Sequence, residues 1–122
     1  MDIIELDNSL IERIEMLENR FNITLSNFLI QFSPNDLNVY CDAVSNSATN
    51  ETKQVLINAA IYDQNNNILA HSIDAPVNRN YTNMKDYNKF SGYYRYRMRF
   101  FSIDFDISEI KRILVFPSCR QL

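Results

Sequence analysis

Arg95, Arg97 and Arg99 alternate with Tyr94, Tyr96, Met98 and Phe100. Period-two alternation predicts a β-strand with two unlike faces, one aromatic and apolar, the other a row of guanidinium groups. A planar guanidinium grips phosphate or carboxylate with two parallel hydrogen bonds. The row is therefore either an anion-binding surface or a cross-strand lattice with acidic neighbours, contributing about 0.2–1 kcal/mol per pair. Just upstream, the polar stretch 74–92 carries Arg79, Lys85 and Lys89 among Tyr81, Tyr87 and Phe90. Aromatic rings beside cations can stack on bases or sugars. The candidate binding residues are thus Arg79, Tyr81, Lys85, Tyr87, Lys89, Arg95, Arg97 and Arg99.

The net charge of −3 hides an asymmetry: residues 1–78 sum to −8, residues 79–99 to +5, and residues 100–122 to zero. A basic region inside an acidic chain favours an acidic protein partner, or an acidic patch on a second copy, over nucleic acid, whose binding domains are usually more basic throughout. Single-stranded nucleic acid or an anionic glycan is the alternative ligand for the same surface.

Other chemistry is thinly supplied. The only glycine, Gly92, argues against P-loop and dinucleotide-binding sites, whose loops need several glycines to approach phosphate. Cys41 and His71, the only histidine, would make a nucleophile–base dyad only if the fold joined them, and neither sits in a recognisable signature. Cys41 and Cys119 match no zinc spacing and read as free thiols. Asp63, Asn65, Asn67 and Asp74 fit the first, third, fifth and twelfth places of a calcium loop, but Ile68 stands where its glycine belongs, and an Asn-rich hairpin turn explains them better. Asp104 and Asp106 share a face in an alternation with Ile103, Phe105 and Ile107, read as a solvated strand face. The expectation is a non-catalytic protein with no cofactor and no metal.

The elements that must position the Arg row are mostly strands. Leu10, Ile14, Leu17 and Phe21 make an apolar stripe that predicts an amphipathic helix over 8–21, capped by Ser9 and Glu12, with Glu12, Glu15 and Glu18 on its solvated side. Residues 23–32 fit helix or strand, and Ser33-Pro34-Asn35-Asp36 marks a turn. Strands follow at 37–43, 55–62 and 68–73, with a turn at Asp63–Asn67. The alternation changes phase near Phe101-Ser102, which calls for a bulge or tight bend. A short turn over 106–112 precedes a last strand, Ile113–Phe116, stopped by Pro117. Short strands in series without a βαβ pattern predict a mainly β, antiparallel sandwich. The division expected is an N-terminal helical segment, 1–34, and a β-sandwich domain, 35–122.

The segment Ile57-Asn58-Ala59-Ala60-Ile61-Tyr62-Asp63, followed by Gln64-Asn65-Asn66-Asn67-Ile68-Leu69, resembles the central strand and turn of FxLYD-type domains, and Val44-Ser45-Asn46-Ser47 looks like their first strand entering a polar turn. Those are small immunoglobulin-like sandwiches of bacterial proteins. The resemblance implies an immunoglobulin-like fold and places no catalytic residue on these positions. No apolar run reaches the ~20 residues of a membrane helix, and the acidic start lacks the pattern of a secretory signal. If Met1 is the natural start, a cytoplasmic location is expected. The function expected is a protein-interaction or assembly module whose contact surface is the 79–99 loop and strand.

Overall fold

The computed structural model describes residues 3–45, 53–74 and 92–121. They form eight strands and one short α-helix: β1 (Ile4–Leu6), β2 (Ile11–Arg13), α1 (Glu15–Phe21), β3 (Ile23–Ser33), β4 (Asp36–Ser45), β5 (Lys53–Tyr62), β6 (Ile68–Asp74), β7 (Gly92–Phe100) and β8 (Arg112–Gln121). The strands build two four-stranded sheets, ordered β1-β3-β4-β7 and β2-β8-β5-β6. All pairs are antiparallel except β2 with β8. The buried faces of both sheets share one core, an arrangement compatible with a β-sandwich.

Alternation builds that core. Leu37, Val39, Cys41 and Ala43 of β4, Ile57, Ala59 and Ile61 of β5, and Tyr96, Met98 and Phe100 of β7 are all buried. Each is every second residue of its strand, as a pleated sheet with one dry face requires. The ambiguous stretch 23–32 is strand β3, and its buried members Ile23, Leu25 and Ile30 face the same core.

With one glycine in the chain, asparagine supplies four of the five left-handed non-glycine positions among the described residues. Asn22, Asn27, Asn35 and Asn66 have φ of 59°, 52°, 72° and 62°, a region asparagine tolerates better than most residues. Asn22 closes α1, Asn27 sits in a bulge of β3, Asn66 lies in the β5–β6 turn, and Asn35 follows Pro34 in the β3–β4 hairpin. Proline then left-handed asparagine is the chemistry of a type II turn.

The helix expected over 8–21 is confined to Glu15–Phe21. Its first half is a 3-10 turn, Asn8–Leu10, followed by β2. Asp7, not Ser9, caps the turn, accepting a hydrogen bond from the Ser9 amide at 2.9 Å. Pairing with β8 overrode the helical stripe, whose members Leu10, Leu17 and Phe21 are partly buried even so. The described part of the segment 1–34, expected to be helical, supplies β1 and β3 to one sheet and β2 to the other. Short α1 packs against β3 and β8.

Nor does Pro117 end the last strand, since β8 continues to Gln121. Its neighbour β2 covers only Ile113–Val115, so among the described residues Pro117 lies where one side of β8 has no ladder to lose. Residues 103–106 alternate in exposure as expected but join no sheet. Asp106 instead caps a second 3-10 turn, Ile107–Glu109, in a reciprocal capping box with Glu109. Among the described residues no helix is long and apolar enough to cross a membrane.

Candidate functional site: the outer arginine row

The alternation of β7 sends Tyr96, Met98 and Phe100 into the core and Arg95, Arg97 and Arg99 to the outer face of the first sheet. The register with β4 sets Asp42 opposite Arg95, Tyr40 opposite Arg97 and Asn38 opposite Arg99. These three chemically identical side chains therefore occupy three different environments.

Arg95 is neutralised inside the chain. Its Nη1 lies 2.7 Å from Oδ1 of Asp42 and donates to the Asn27 carbonyl at 3.0 Å. Asp42 is 3% exposed, and its Oδ2 accepts from the Asn27 side-chain amide at 2.7 Å. The bulge in β3 makes this possible: the left-handed turn at Asn27 presents both its amide and its carbonyl to the pair.

Arg97 and Arg99 are exposed and make no salt bridge among the described residues. The Arg97 guanidinium donates through Nε to Asn38 Oδ1 at 3.1 Å and lies 5.8 Å from the Tyr40 ring centroid. That of Arg99 lies 4.4 Å from the ring centroid of Phe101, itself 61% exposed. Cation–π contacts at exposed sites contribute about 0.5–1 kcal/mol and leave the charge available to an outside anion.

The backbone beneath the pair is fixed from two sides. Ser72 of β6 donates its hydroxyl to the Arg99 carbonyl at 2.8 Å, and Asp74 accepts the Arg97 amide at 2.8 Å. These bonds satisfy edge groups of β7 that no strand pairs among the described residues, and they tie the two sheets together at this margin. Beyond β7 the predicted bend is a left-handed Ser102 at φ 51°. Its amide donates to Asp36 Oδ1 at 3.0 Å, and the Ile103 amide to the Asn35 carbonyl at 2.9 Å. The bend is thereby fastened to the β3–β4 turn, which holds Phe101 under Arg99.

Of the eight residues expected to bind, Arg95, Arg97 and Arg99 share one face. Arg79, Tyr81, Lys85, Tyr87 and Lys89 lie outside the described residues. Two members of the site were missed in the sequence. Tyr40 was hidden because its partner depends on the β4–β7 register, and Phe101 because the phase change seemed to end the row there.

The competing constellations do not assemble. Cys41 faces the core while His71 sits exposed on the far sheet, its Nε2 3.0 Å from Asn58 Oδ1. Burial pushes the Cys41 thiol up to about 12 from its ordinary 9.0. In a Cys119→Ser background, Cys41 should stay unreactive towards a disulfide reagent at pH 8 until the chain unfolds; rapid labelling of the folded protein would refute this. The folded thiol holds its proton more tightly than the unfolded one. Stability from this source is intact below pH 9 and is lost as pH rises towards 12, at up to about 1.4 kcal/mol per pH unit.

The calcium-loop template is also split. Both Asn65 and Asn67 donate their amides to Asp63 Oδ1, at 2.8 and 2.9 Å, and these bonds, that from Asn67 foremost, lower the Asp63 carboxyl below its usual range. Asp74 is at the other end of β6, against Arg97. Among the described residues no cluster of His, Cys, Asp or Glu could hold a metal.

One acidic residue reverses its expected place. Glu18, read as solvated, is 2% exposed and receives both forks of Arg13, at 2.7 and 2.9 Å, together with the Leu25 amide at 3.1 Å. The Arg13 pKa is raised, chiefly by its hydrogen bond to Glu18. This pair anchors α1 to β2 and β3.

No family model matches the chain, and neither a curated protein nor a solved structure matches it.

Proposed function

We propose that the protein is a non-catalytic interaction module whose outer first-sheet face, centred on Arg97 and Arg99, engages an acidic protein surface. The observation that carries this reading is the division of the row. Arg95 has a buried carboxylate at 2.7 Å, whereas Arg97 and Arg99 are exposed with no salt bridge among the described residues; Arg97 shares the Tyr40 ring with Arg95, at 5.8 and 5.5 Å, and Arg99 lies over Phe101. Two fixed, exposed guanidiniums seated on tyrosine and phenylalanine are the residue types that dominate protein interfaces.

The scaffold in this proposal is an immunoglobulin-like sandwich of the FxLYD kind. Support comes from the quoted segment 57–69, which forms the second half of β5, the Asn-rich turn after it and the start of β6. The N-terminal strands also serve both sheets. In the immunoglobulin order the third and fourth strands lie in different sheets, whereas β3 lies beside β4, so the likeness proposed is of architecture and not of strand order.

Poly-glutamate, titrated calorimetrically at low salt, is the probe. The wild-type protein should bind it, and Arg97→Glu/Arg99→Glu should lose about tenfold or more in affinity with an unchanged melting curve. Equal binding by the two would overturn the reading. Tighter binding of a single-stranded oligonucleotide of equal charge would favour the nucleic-acid alternative.

A further inference from the structure

The chain around Phe101 is complementary to itself in charge. Centred on the Phe101–Ser102 bond, Arg99 and Arg97 precede, and Asp104 and Asp106 follow at the mirrored positions. Phe101 and both aspartates are exposed, with Asp104 set between half-buried Ile103 and Phe105. Neither aspartate makes a salt bridge among the described residues, and Asp104 makes no hydrogen bond there either. Asp106 uses Oδ1 to accept the Ser108 amide at 2.9 Å, and its carboxyl is lowered chiefly by that bond, so it is charged at neutral pH.

We infer that the acidic partner is a second copy of this chain, docked about a two-fold axis at Phe101 so that Arg99 and Arg97 of each copy meet Asp104 and Asp106 of the other. This deepens the proposed function and rests on its reading of Arg97 and Arg99. In a two-fold interface residue i contacts j and j contacts i, and the order Arg–Arg–Phe–Asp–Asp puts opposite charges on both members of each such reciprocal contact. The exposed Phe101 rings supply the apolar centre and the four ion pairs the polar rim. The bend carrying both halves is already held by the Ser102–Asp36 and Ile103–Asn35 bonds, so little ordering is needed on association. A contact limited to this segment falls short of the ~1,200 Å² of a standard stable interface. The dimer is therefore weak, reversible and sensitive to salt.

Sedimentation equilibrium of the full chain over a range of concentrations tests this. Wild-type protein should dimerise reversibly at low salt and dissociate as salt rises. Arg99→Glu alone and Asp104→Arg alone should each weaken self-association about tenfold or more. Both sites are exposed, so thermal melting should confirm an intact fold. An equimolar mixture of the two variants should form a heterodimer, because each contact between positions 99 and 104 then joins opposite charges. A monomeric wild type, self-association that either variant leaves untouched, or a mixture that stays monomeric would each overturn the pairing. If Arg99→Glu weakens poly-glutamate binding while any of those results holds, the Arg surface stands and only the second-copy assignment falls.

Discussion

Replacing Arg95 by alanine will destabilise the protein by about 3 kcal/mol, whereas Arg97→Ala or Arg99→Ala will each cost less than about 1 kcal/mol. The three side chains are identical and two residues apart on one strand, so the difference lies wholly in what each faces. Arg95→Ala removes the cation 2.7 Å from a carboxylate whose side chain is only 4% exposed. Removing one partner of a buried pair costs about 3–5 kcal/mol, because the other charge stays desolvated. The Arg95 side chain is itself 37% exposed, which places the value at the lower end of that range. Arg97 and Arg99 lose only a surface ring contact and, for Arg97, one hydrogen bond to Asn38. Urea unfolding of the three single variants checks this, and equal losses at all three positions would contradict it.

Glu18→Ala should cost about 3 kcal/mol in the same assay. The substitution deletes a carboxylate that binds two nitrogens of Arg13 and leaves the buried Leu25 amide without its acceptor, a loss of about 1–3 kcal/mol for the amide alone. The seven-residue α1 is too short to persist unless it is docked. Its helical signal should therefore disappear at lower urea than the strand signal. Glu18→Gln, which keeps an oxygen for Leu25, should cost roughly half as much. A loss below about 0.5 kcal/mol for Glu18→Ala would show that the pair does not anchor the helix.

These two carboxylates mark where reading the sequence stopped. The strands with one dry face were legible, because alternation at Leu37–Ala43, Val55–Ile61 and Tyr96–Phe100 follows directly from the pleat. The phase change at Phe101-Ser102 correctly located a bend, and the Asn-rich stretch 63–67 correctly located a turn. The helix over 8–21 was overextended because an i, i+4 stripe records only which residues are apolar. Ile11 found a partner in Ile113 of β8, 102 positions along the chain, and no local pattern reveals such a pairing. Pro117 looked like a strand end because it lacks a donor, but β2 stops at Arg13, opposite Val115, and among the described residues leaves no ladder bond on that side for it to break. Asp104 and Asp106 kept their alternation and exposure without a ladder, so the period was right and the element was not.

The candidate site was half legible for the same reason. Residue types and spacing identified the Arg row, while its division depends on register. A β4–β7 pairing shifted by two would have set Asp42 against Arg97 and freed Arg95. The bulge at Asn27 then adds the amide and carbonyl that hold Arg95 to Asp42. Nothing within a few residues of Arg95 encodes either fact. Glu18 was equally hidden, since its partner Arg13 stands five residues away, outside the helical spacings that link neighbours on one face.

The central claim is that Arg97 and Arg99 are the charges this protein keeps for a partner, and Arg95 is the one it uses itself. Poly-glutamate titration of wild type against Arg97→Glu/Arg99→Glu, each confirmed folded by its melting curve, tests it most directly. The account predicts that the variant melts like the wild type and binds about tenfold or more weakly. Undiminished binding by the folded variant would contradict it.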